Sequence, residues 1–302
     1  MGRFKRSSEN GQNDIRGHFM KKLLIANRGE IAVRLIRAGK ELGIKTVAIF
    51  AKEDEFAVHR FKADESYLVG EGKAPIAAYL DIDDIIRIAK ETGADAIHPG
   101  YGFLSENDEF AAAVEAAGIK FVGPRVEHLK MFGDKITAKQ AAIKAGVPTV
   151  PGTDHPVESI EEALAFGAEH GYPLFVKSAA GGGGRGMRVV EHDDELREAF
   201  ERAASEAQQS FGKAEIYLEK YLQDPKHVEI QILADEQGEV MHLFERDSSI
   251  QRRHQKIIEF APAVSVSVDM RRRIQDAAVK LMQSVVYQSA GTVEFLVDGD
   301  DF

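Results

Sequence analysis

Residues 173–190, Pro-Leu-Phe-Val-Lys-Ser-Ala-Ala-Gly-Gly-Gly-Gly-Arg-Gly-Met-Arg-Val-Val, carry the densest set of groups suited to holding an anion. Glycine lets the backbone approach a ligand closely and adopt positive φ, and successive free N–H groups form an anion nest. Lys177 and Arg185 flank Gly181–Gly184 and add positive charge for phosphate. The stretch reads as an apolar strand ending at Lys177, a glycine loop, and a second strand from Met187 to Val190, together a flap that closes over a nucleoside triphosphate. A flexible linker or a tight hairpin is the other reading of a glycine run. Gly181, Gly183 and Gly186 formally satisfy G-x-G-x-x-G. That fingerprint needs a helix opening straight from the loop; here strand-like sequence follows, and helix-type sequence begins only near Asp193. G-x-x-x-x-G-K-[ST] is absent from the sequence. The loop is neither a dinucleotide fingerprint nor a Walker A loop.

Other residues could share that chemistry. Glu294 stands between Val293 and Phe295 in an apolar run, where a carboxylate is rarely buried without a partner. Alternation puts it on one face with Thr292 and Leu296. It reads as a Mg²⁺ ligand, since Mg²⁺ is held by one or two carboxylates plus substrate phosphates, or as a solvent-facing strand glutamate. Residues 245–256 are dense in polar side chains, and an extended or looped segment would turn Gln251, His254 and Lys256 to one cleft. Arg and Lys there suit phosphate and bicarbonate; a solvated basic turn, its bases paired with Glu245 and Asp247, is the other reading. Lys135 follows Asp134, a candidate N-cap, and reads as a second phosphate clamp or a surface lysine. His227 heads the polar face of a strand, as a nucleotide contact or a satisfied structural histidine. Glu219, Lys220, Tyr221 and Leu222 follow a strand and offer backbone groups to an adenine edge. His98–Glu106 and Asn27–Glu30 come at the carboxyl ends of strands, where ligands of open α/β sheets bind. Gly100 and Gly102 there point to close packing or to ligand approach.

The elements that must position these residues follow from periodicity. Strand, turn and helix alternate from Lys22: strands at 22–26, 45–50, 66–69, 95–98 and 119–122, with helices at 30–42, 82–92 and 107–117. Alternation of this kind implies a parallel doubly wound domain over about 20–123. A helix from Asp134 to Ala145 ends at Gly146 with Pro148 beyond it, a stop signal. Helices at 158–170 and 194–208 and strands around the glycine loop and at 215–219 make a small α+β module. Residues 227–235 then alternate strictly, Val228, Ile230 and Ile232 against His227, Glu229 and Gln231. Glu236–Gly238 turns the chain into a returning strand at 240–244, and a helix at 269–287 precedes a strand at 292–297.

Composition narrows the classes. The 302 residues suffice for about two domains. With no cysteine, disulfides, thiolate metal sites and cysteine nucleophiles are excluded. A net charge of −10 argues against general nucleic-acid binding, so a phosphate site must be a local concentration of Lys, Arg and N–H groups. No apolar run reaches the roughly 18 residues that span a bilayer, and the expected location is cytoplasmic. Residues 1–19 read as a disordered extension ahead of a natural start at Met20.

Taken together, these segments resemble the biotin carboxylase component of biotin-dependent carboxylases. The resemblance rests on Ile25-Ala-Asn-Arg-Gly-Glu-Ile-Ala, Ile97-His-Pro-Gly-Tyr-Gly-Phe-Leu-Ser-Glu-Asn, Gly133-Asp-Lys, Gly181-Gly-Gly-Gly-Arg-Gly-Met, Glu219-Lys-Tyr-Leu, His227-Val-Glu-Ile-Gln and Gln251-Arg-Arg-His-Gln-Lys, in family order. Residues 54–67, Phe132–Lys135 and Ala261–Val264 look more like the pyruvate carboxylase branch than the acetyl-CoA carboxylase branch. The resemblance implies an α/β protein: a Rossmann-like parallel-sheet domain (20–123), connecting helices (124–149), and an ATP-grasp fold made of a lid (150–222) and an antiparallel-sheet domain (223–302). It implies an ATP-dependent ligase in which bicarbonate attacks the γ-phosphate to give carboxyphosphate, whose carboxyl group passes to biotin. Carried over, Lys135, Lys177, Gly183 and Gly184 would hold phosphates, and Glu219, Lys220, Tyr221, Leu222 and Leu296 would surround adenine. His227, Gln251 and His254 would contact nucleotide, Lys256 would hold bicarbonate as the catalytic residue, and Glu294 would bind Mg²⁺ or Mn²⁺. A biotinyl carrier domain, a carboxyltransferase and a homo-oligomer are the implied partners, with neither nucleic acid nor membrane among them. The family's sheet continues past Phe302 with a second metal carboxylate and an arginine, so the sheet domain reads as C-terminally truncated and the chain alone as inactive. The rival readings are a non-catalytic nucleotide-binding or assembly fragment and an ATP-grasp ligase of the carbamoyl-phosphate type.

Overall fold

The computed structural model describes residues 20–178, 187–211, 216–252 and 255–302, with side chains undescribed at 135, 178, 187 and 206–211. The extension at 1–19, Gly183, Gly184, Arg185 and His254 lie outside these residues, as does the Lys135 side chain. The chain divides after Val122 into two compact units.

The first unit runs β1 (Lys22–Ile25), α1 (Gly29–Glu41), β2 (Lys45–Phe50), α2 (Val58–Lys62), β3 (Glu65–Leu68), α3 (Pro75–Tyr79), α4 (Ile82–Thr92), β4 (Ala96–His98), α5 (Asp108–Ala116) and β5 (Lys120–Phe121). Its five strands are parallel, in the order β3-β2-β1-β4-β5. Order reverses beside β1, as in a doubly wound sheet. The strands are apolar on both faces because helices cover both: Leu24, Ile25, Val47, Ile49 and Ile97 are fully buried. Asp81 and Asn107 cap α4 and α5 by accepting from Asp84 and Phe110 N–H. The short helices α2 and α3 were not legible, being too brief to show a period.

The second unit runs α6 (Val126–Gly133), α7 (Lys135–Lys144), α8 (Ile160–His170), β6 (Leu174–Ser178), β7 (Met187–Val190), α9 (Asp193–Phe211), β8 (Ile216–Lys220), β9 (Lys226–Ala234), β10 (Val240–Arg252), β11 (Gln255–Phe260), α10 (Val268–Ser284) and β12 (Ser289–Val297). Two antiparallel sheets form. The smaller, β7-β6-β8, packs Leu174, Val176, Ile216 and Leu218 against Ala163 of α8 and Leu196, Ala199 and Ala203 of α9. The strands flanking the glycine loop pair from Leu174↔Val190 to Lys177↔Met187. The larger sheet, β11-β10-β9-β12, sets Val228, Ile230 and Ile232 of β9 against Met270, Ile274, Ala278 and Leu281 of α10. Ser267 caps α10 by accepting from Met270 N–H.

Of the two forms expected for the segment after Phe244, extended or looped, its described residues take the extended one. β10 continues through it to Arg252, absorbs register shifts at His242/Glu245 and around Ile250, and returns as β11. Such bulges re-aim side chains without ending the strand.

Candidate functional site

The strict alternation of β9 decides the geometry of the larger sheet. Its apolar residues face α10, so His227, Glu229 and Gln231 must face the other way. In β12, which pairs residue for residue, Leu296 lies opposite His227, Glu294 opposite Glu229 and Thr292 opposite Gln231. Arg246 of β10 lies opposite Glu229, and Lys256 of β11 opposite Gln251. The helix-free face therefore gathers five of the residues singled out from sequence: His227, Gln251, Lys256, Glu294 and Leu296.

Lys256 lies at the centre of the charged group on this face. Its ammonium donates to Glu229 Oε2 at 2.5 Å and to Glu294 Oε1 at 2.5 Å. Arg246 Nε donates to Glu229 Oε1 at 2.5 Å, while its Nη atoms reach Gln231 Oε1 at 2.9 Å and Thr292 Oγ1 at 3.4 Å. Glu229 is 5% exposed and Glu294 61%. Burial alone would raise the Glu229 carboxyl; hydrogen bonds from Lys256 and Arg246 outweigh it and hold the group below the usual range. Burial opposes the Lys256 charge in the same way, and the two glutamates reverse it and raise its pKa. The result is a cation held ready on a polar face, flanked by a buried and an exposed carboxylate.

Gln251 turns its amide back to Ser248 O at 3.0 Å, and Ser249 Oγ accepts from His227 N–H at 3.0 Å. Among the described residues, the alternative pairing of the local bases with Glu245 and Asp247 is not seen. Both acids are buried on the other side, Glu245 with Arg271 and Gln275, and Asp247 with Ser249 and Ser265. Alternation along β10 is the reason: Arg246 faces opposite to its two acidic neighbours. Glu229 and Arg246 are functional candidates that sequence reasoning passed over. The signal was present, since Glu229 shares the polar side of the alternation with His227 and Gln231.

A second group forms in the smaller sheet. Lys177 of β6 is ion-paired with Glu219 of β8, both about one third exposed. Lys220 donates to Tyr172 O at 2.9 Å, and Tyr221 packs edge-on against Phe175 with ring centroids 4.7 Å apart. Leu222 is half-buried just beyond β8. Residues 151–157 lie along the free edge of β8: Lys220 N–H donates to Pro151 O, Thr153 N–H to Leu218 O and Val157 N–H to Ile216 O, at 2.8, 2.9 and 2.7 Å. Lys135 opens α7, whose N-cap Asp134 accepts from Thr137 N–H at 2.8 Å.

At the carboxyl ends of the parallel strands, expected as a ligand crevice, the loops after β1 and β4 are tied to each other. Asn27 is fully buried and donates to Pro99 O at 2.6 Å and Tyr101 O at 3.0 Å. A Cβ on Gly100 would stand 2.6 Å from Asn27 Nδ2 and 2.7 Å from Ile31 Cγ2. Gly100 allows this close packing. Nearby, Arg28 grips Asp54 with two bonds of 2.6 and 2.5 Å, and Tyr79 O–H donates to the same carboxylate at 2.6 Å.

Two family patterns match the chain: "Biotin carboxylase, N-terminal domain" over residues 19–129, and "Carbamoyl-phosphate synthase L chain, ATP binding domain" over 134–302. The chain belongs to the biotin carboxylase family of ATP-grasp proteins. It is 57% identical to the pyruvate carboxylase of Staphylococcus aureus (strain Mu50 / ATCC 700699) over 94% of its own length and 25% of that protein's. It superposes on the crystal structure of the biotin carboxylase subunit of a pyruvate carboxylase with a TM-score of 0.79 and 48% identity, covering 94% of this chain and 62% of that one. The biotin carboxylase domain dimer of Hydrogenobacter thermophilus 2-oxoglutarate carboxylase, in complex with MgADP, ADP and bicarbonate, gives a TM-score of 0.80 at 47% identity, over 94% and 62%. The chain spans about a quarter of the length of the curated relatives it matches. Among the described residues no helix is long and apolar enough to cross a membrane.

Proposed function

We propose that the chain is the biotin carboxylase part of a pyruvate carboxylase, an ATP-dependent ligase that carboxylates biotin through carboxyphosphate. The observation that carries this reading is Lys256 held between Glu229 and Glu294 on the helix-free face of the larger sheet. Phosphoryl transfer to bicarbonate depends on positioning and charge neutralisation. A preset ammonium at that face supplies both to a small oxyanion. In this reading Lys256 holds bicarbonate, Lys135, Lys177, Gly183 and Gly184 hold phosphates, and Glu219, Lys220, Tyr221, Leu222 and Leu296 border adenine. His227, Gln251 and His254 contact nucleotide.

The described residues contain no cluster of three metal-binding side chains. A half-exposed Glu294 fits an ion shared with substrate phosphates better than an all-protein cage. Glu294 would hold Mg²⁺ or Mn²⁺, which neutralises charge on the transferring phosphoryl group when bound. The domain division at 20–123, 124–149, 150–222 and 223–302 belongs to the same proposal. So do a biotinyl carrier domain and a carboxyltransferase elsewhere in the longer protein, a homo-oligomer, and a cytoplasmic location, which the cysteine-free composition fits. The relatives' names favour this reading over a carbamoyl-phosphate ligase, though that enzyme shares the description of the second matching pattern.

Titration of the chain with MgATP by calorimetry, followed by Lys256→Gln in the full-length protein, tests it. ATP binds the chain, and Lys256→Gln abolishes biotin carboxylation while leaving ATP affinity within about threefold. Absence of ATP binding, or unchanged carboxylation in Lys256→Gln, overturns the reading.

A further inference from the structure

Lys139, one helical turn beyond Lys135 on α7, is a second cation that no part of the reading above uses. Its ammonium donates to Gly152 O at 3.3 Å, on the segment that borders β8. Gly152 is bridged to Glu219 of β8. A Cβ on Gly152 would stand 3.0 Å from Lys139 Nζ and 3.4 Å from Glu219 Cγ. The ammonium, Leu218 O and the Glu219 side chain all border the space that a side chain at 152 would take. Glu219 meanwhile holds Lys177, a lysine that the proposed nucleotide site needs for phosphate.

A carboxylate left behind when its cation moves to a ligand must find another partner or return to water, and the first is cheaper when half-buried. We propose that Lys139 is a positioning residue of the nucleotide site, receiving the Glu219 carboxylate when triphosphate draws Lys177 away. Glycine at 152 keeps the gap between them open. Burial depresses the Lys139 ammonium, partly offset by Asp154. The charged groups facing it are Asp154 of the bordering segment and Glu219 of β8, with Lys177 of β6 behind Glu219. The exchange therefore weakens as pH rises through the depressed Lys139 pKa and the ammonium is lost.

This inference rests on the nucleotide reading, and one calorimetric experiment separates the two. The 302-residue chain and its Lys139→Met, Lys139→Arg and Gly152→Ala variants are titrated with ATP and with adenosine, which has no phosphate to compete for Lys177. Lys139→Met is expected to weaken ATP roughly tenfold and adenosine less than twofold, since one charge partner is lost only when Lys177 moves. Lys139→Arg restores ATP affinity and removes its decline at alkaline pH, and Gly152→Ala reproduces the ATP-selective loss. Equal weakening of ATP and adenosine in Lys139→Met, or none, overturns the exchange. Failure of the unaltered chain to bind ATP overturns the nucleotide reading itself, and the exchange with it.

Discussion

Glu229→Gln is the sharpest single perturbation of the charged face. Glu229 is the buried carboxylate between two cations, 5% exposed, with Lys256 and Arg246 each 2.5 Å away. Removing one partner of a buried ion pair costs about 3–5 kcal/mol. Both cations retain other partners, Lys256 on Glu294 and Arg246 on Gln231 and Thr292. They are also 29% and 31% exposed. Solvent and these partners should reduce the cost to about 2 kcal/mol. For a unit of this size that lowers the melting temperature by roughly 4–8 °C, read by calorimetry on the transition of the second unit. The pH dependence has a defined sign. Glu229 is held below its ordinary pKa, so its contribution is present above about 4.5 and lost as pH falls through the folded value. That part of the acid limb disappears in Glu229→Gln. Lys256 is raised, so its contribution is complete below about 10.5 and lost as pH rises through the folded value; the alkaline limb of the variant moves to lower pH. A cycle with Lys256→Met measures the coupling. A cost below about 0.5 kcal/mol for Glu229→Gln, or additivity with Lys256→Met, would refute the claim that the buried carboxylate holds the lysine.

Three further outcomes follow from the same geometry. Glu294→Gln, at an exposed carboxylate, should cost at most about 1 kcal/mol of stability yet remove the Mg²⁺ dependence of ATP binding; unchanged metal dependence counts against Glu294 as the metal carboxylate. Gly100→Ala forces a methyl group into Asn27 and Ile31 at φ +70°, and should destabilise the first unit by about 2 kcal/mol or more in urea unfolding. A neutral result would return Gly100 to the ligand-approach reading. His59, fully buried with Nε2 against Ile49 O, has its pKa lowered chiefly by burial. Its contribution is present above about 6.5 and lost as pH falls through the folded value, so His59→Phe should flatten the stability loss of the first unit between pH 6.5 and 5; an unaltered slope would place the acid sensitivity elsewhere.

Much of the fold was legible because its signals are local. Asp81, Asn107, Asp134 and Ser267 cap helices that periodicity places, and the alternation of β9 separates its buried from its polar face. The same alternation, read once more, would have singled out Glu229. What escaped was whatever depends on a partner far along the chain. Polar density in 245–256 left an extended segment, a loop and a basic turn all open because the strand that receives it, β9, lies fifteen or more residues away. Glu245 and Asp247 looked like partners for neighbouring bases because adjacency in sequence hides that successive residues of a strand face opposite ways.

Residue types and spacing alone determined most of the order of elements, the strands on either side of the glycine loop, the family, and the lysines and carboxylates proposed for the chemistry. Tertiary structure decided their pairing: Lys256 on Glu229 and Glu294, Lys177 on Glu219, and Lys139 across Gly152. The division has a physical cause. Periodicity and capping act over a few residues and are written in the chain, whereas a charge in low dielectric chooses its partner by distance and burial, which exist only after the strands have paired.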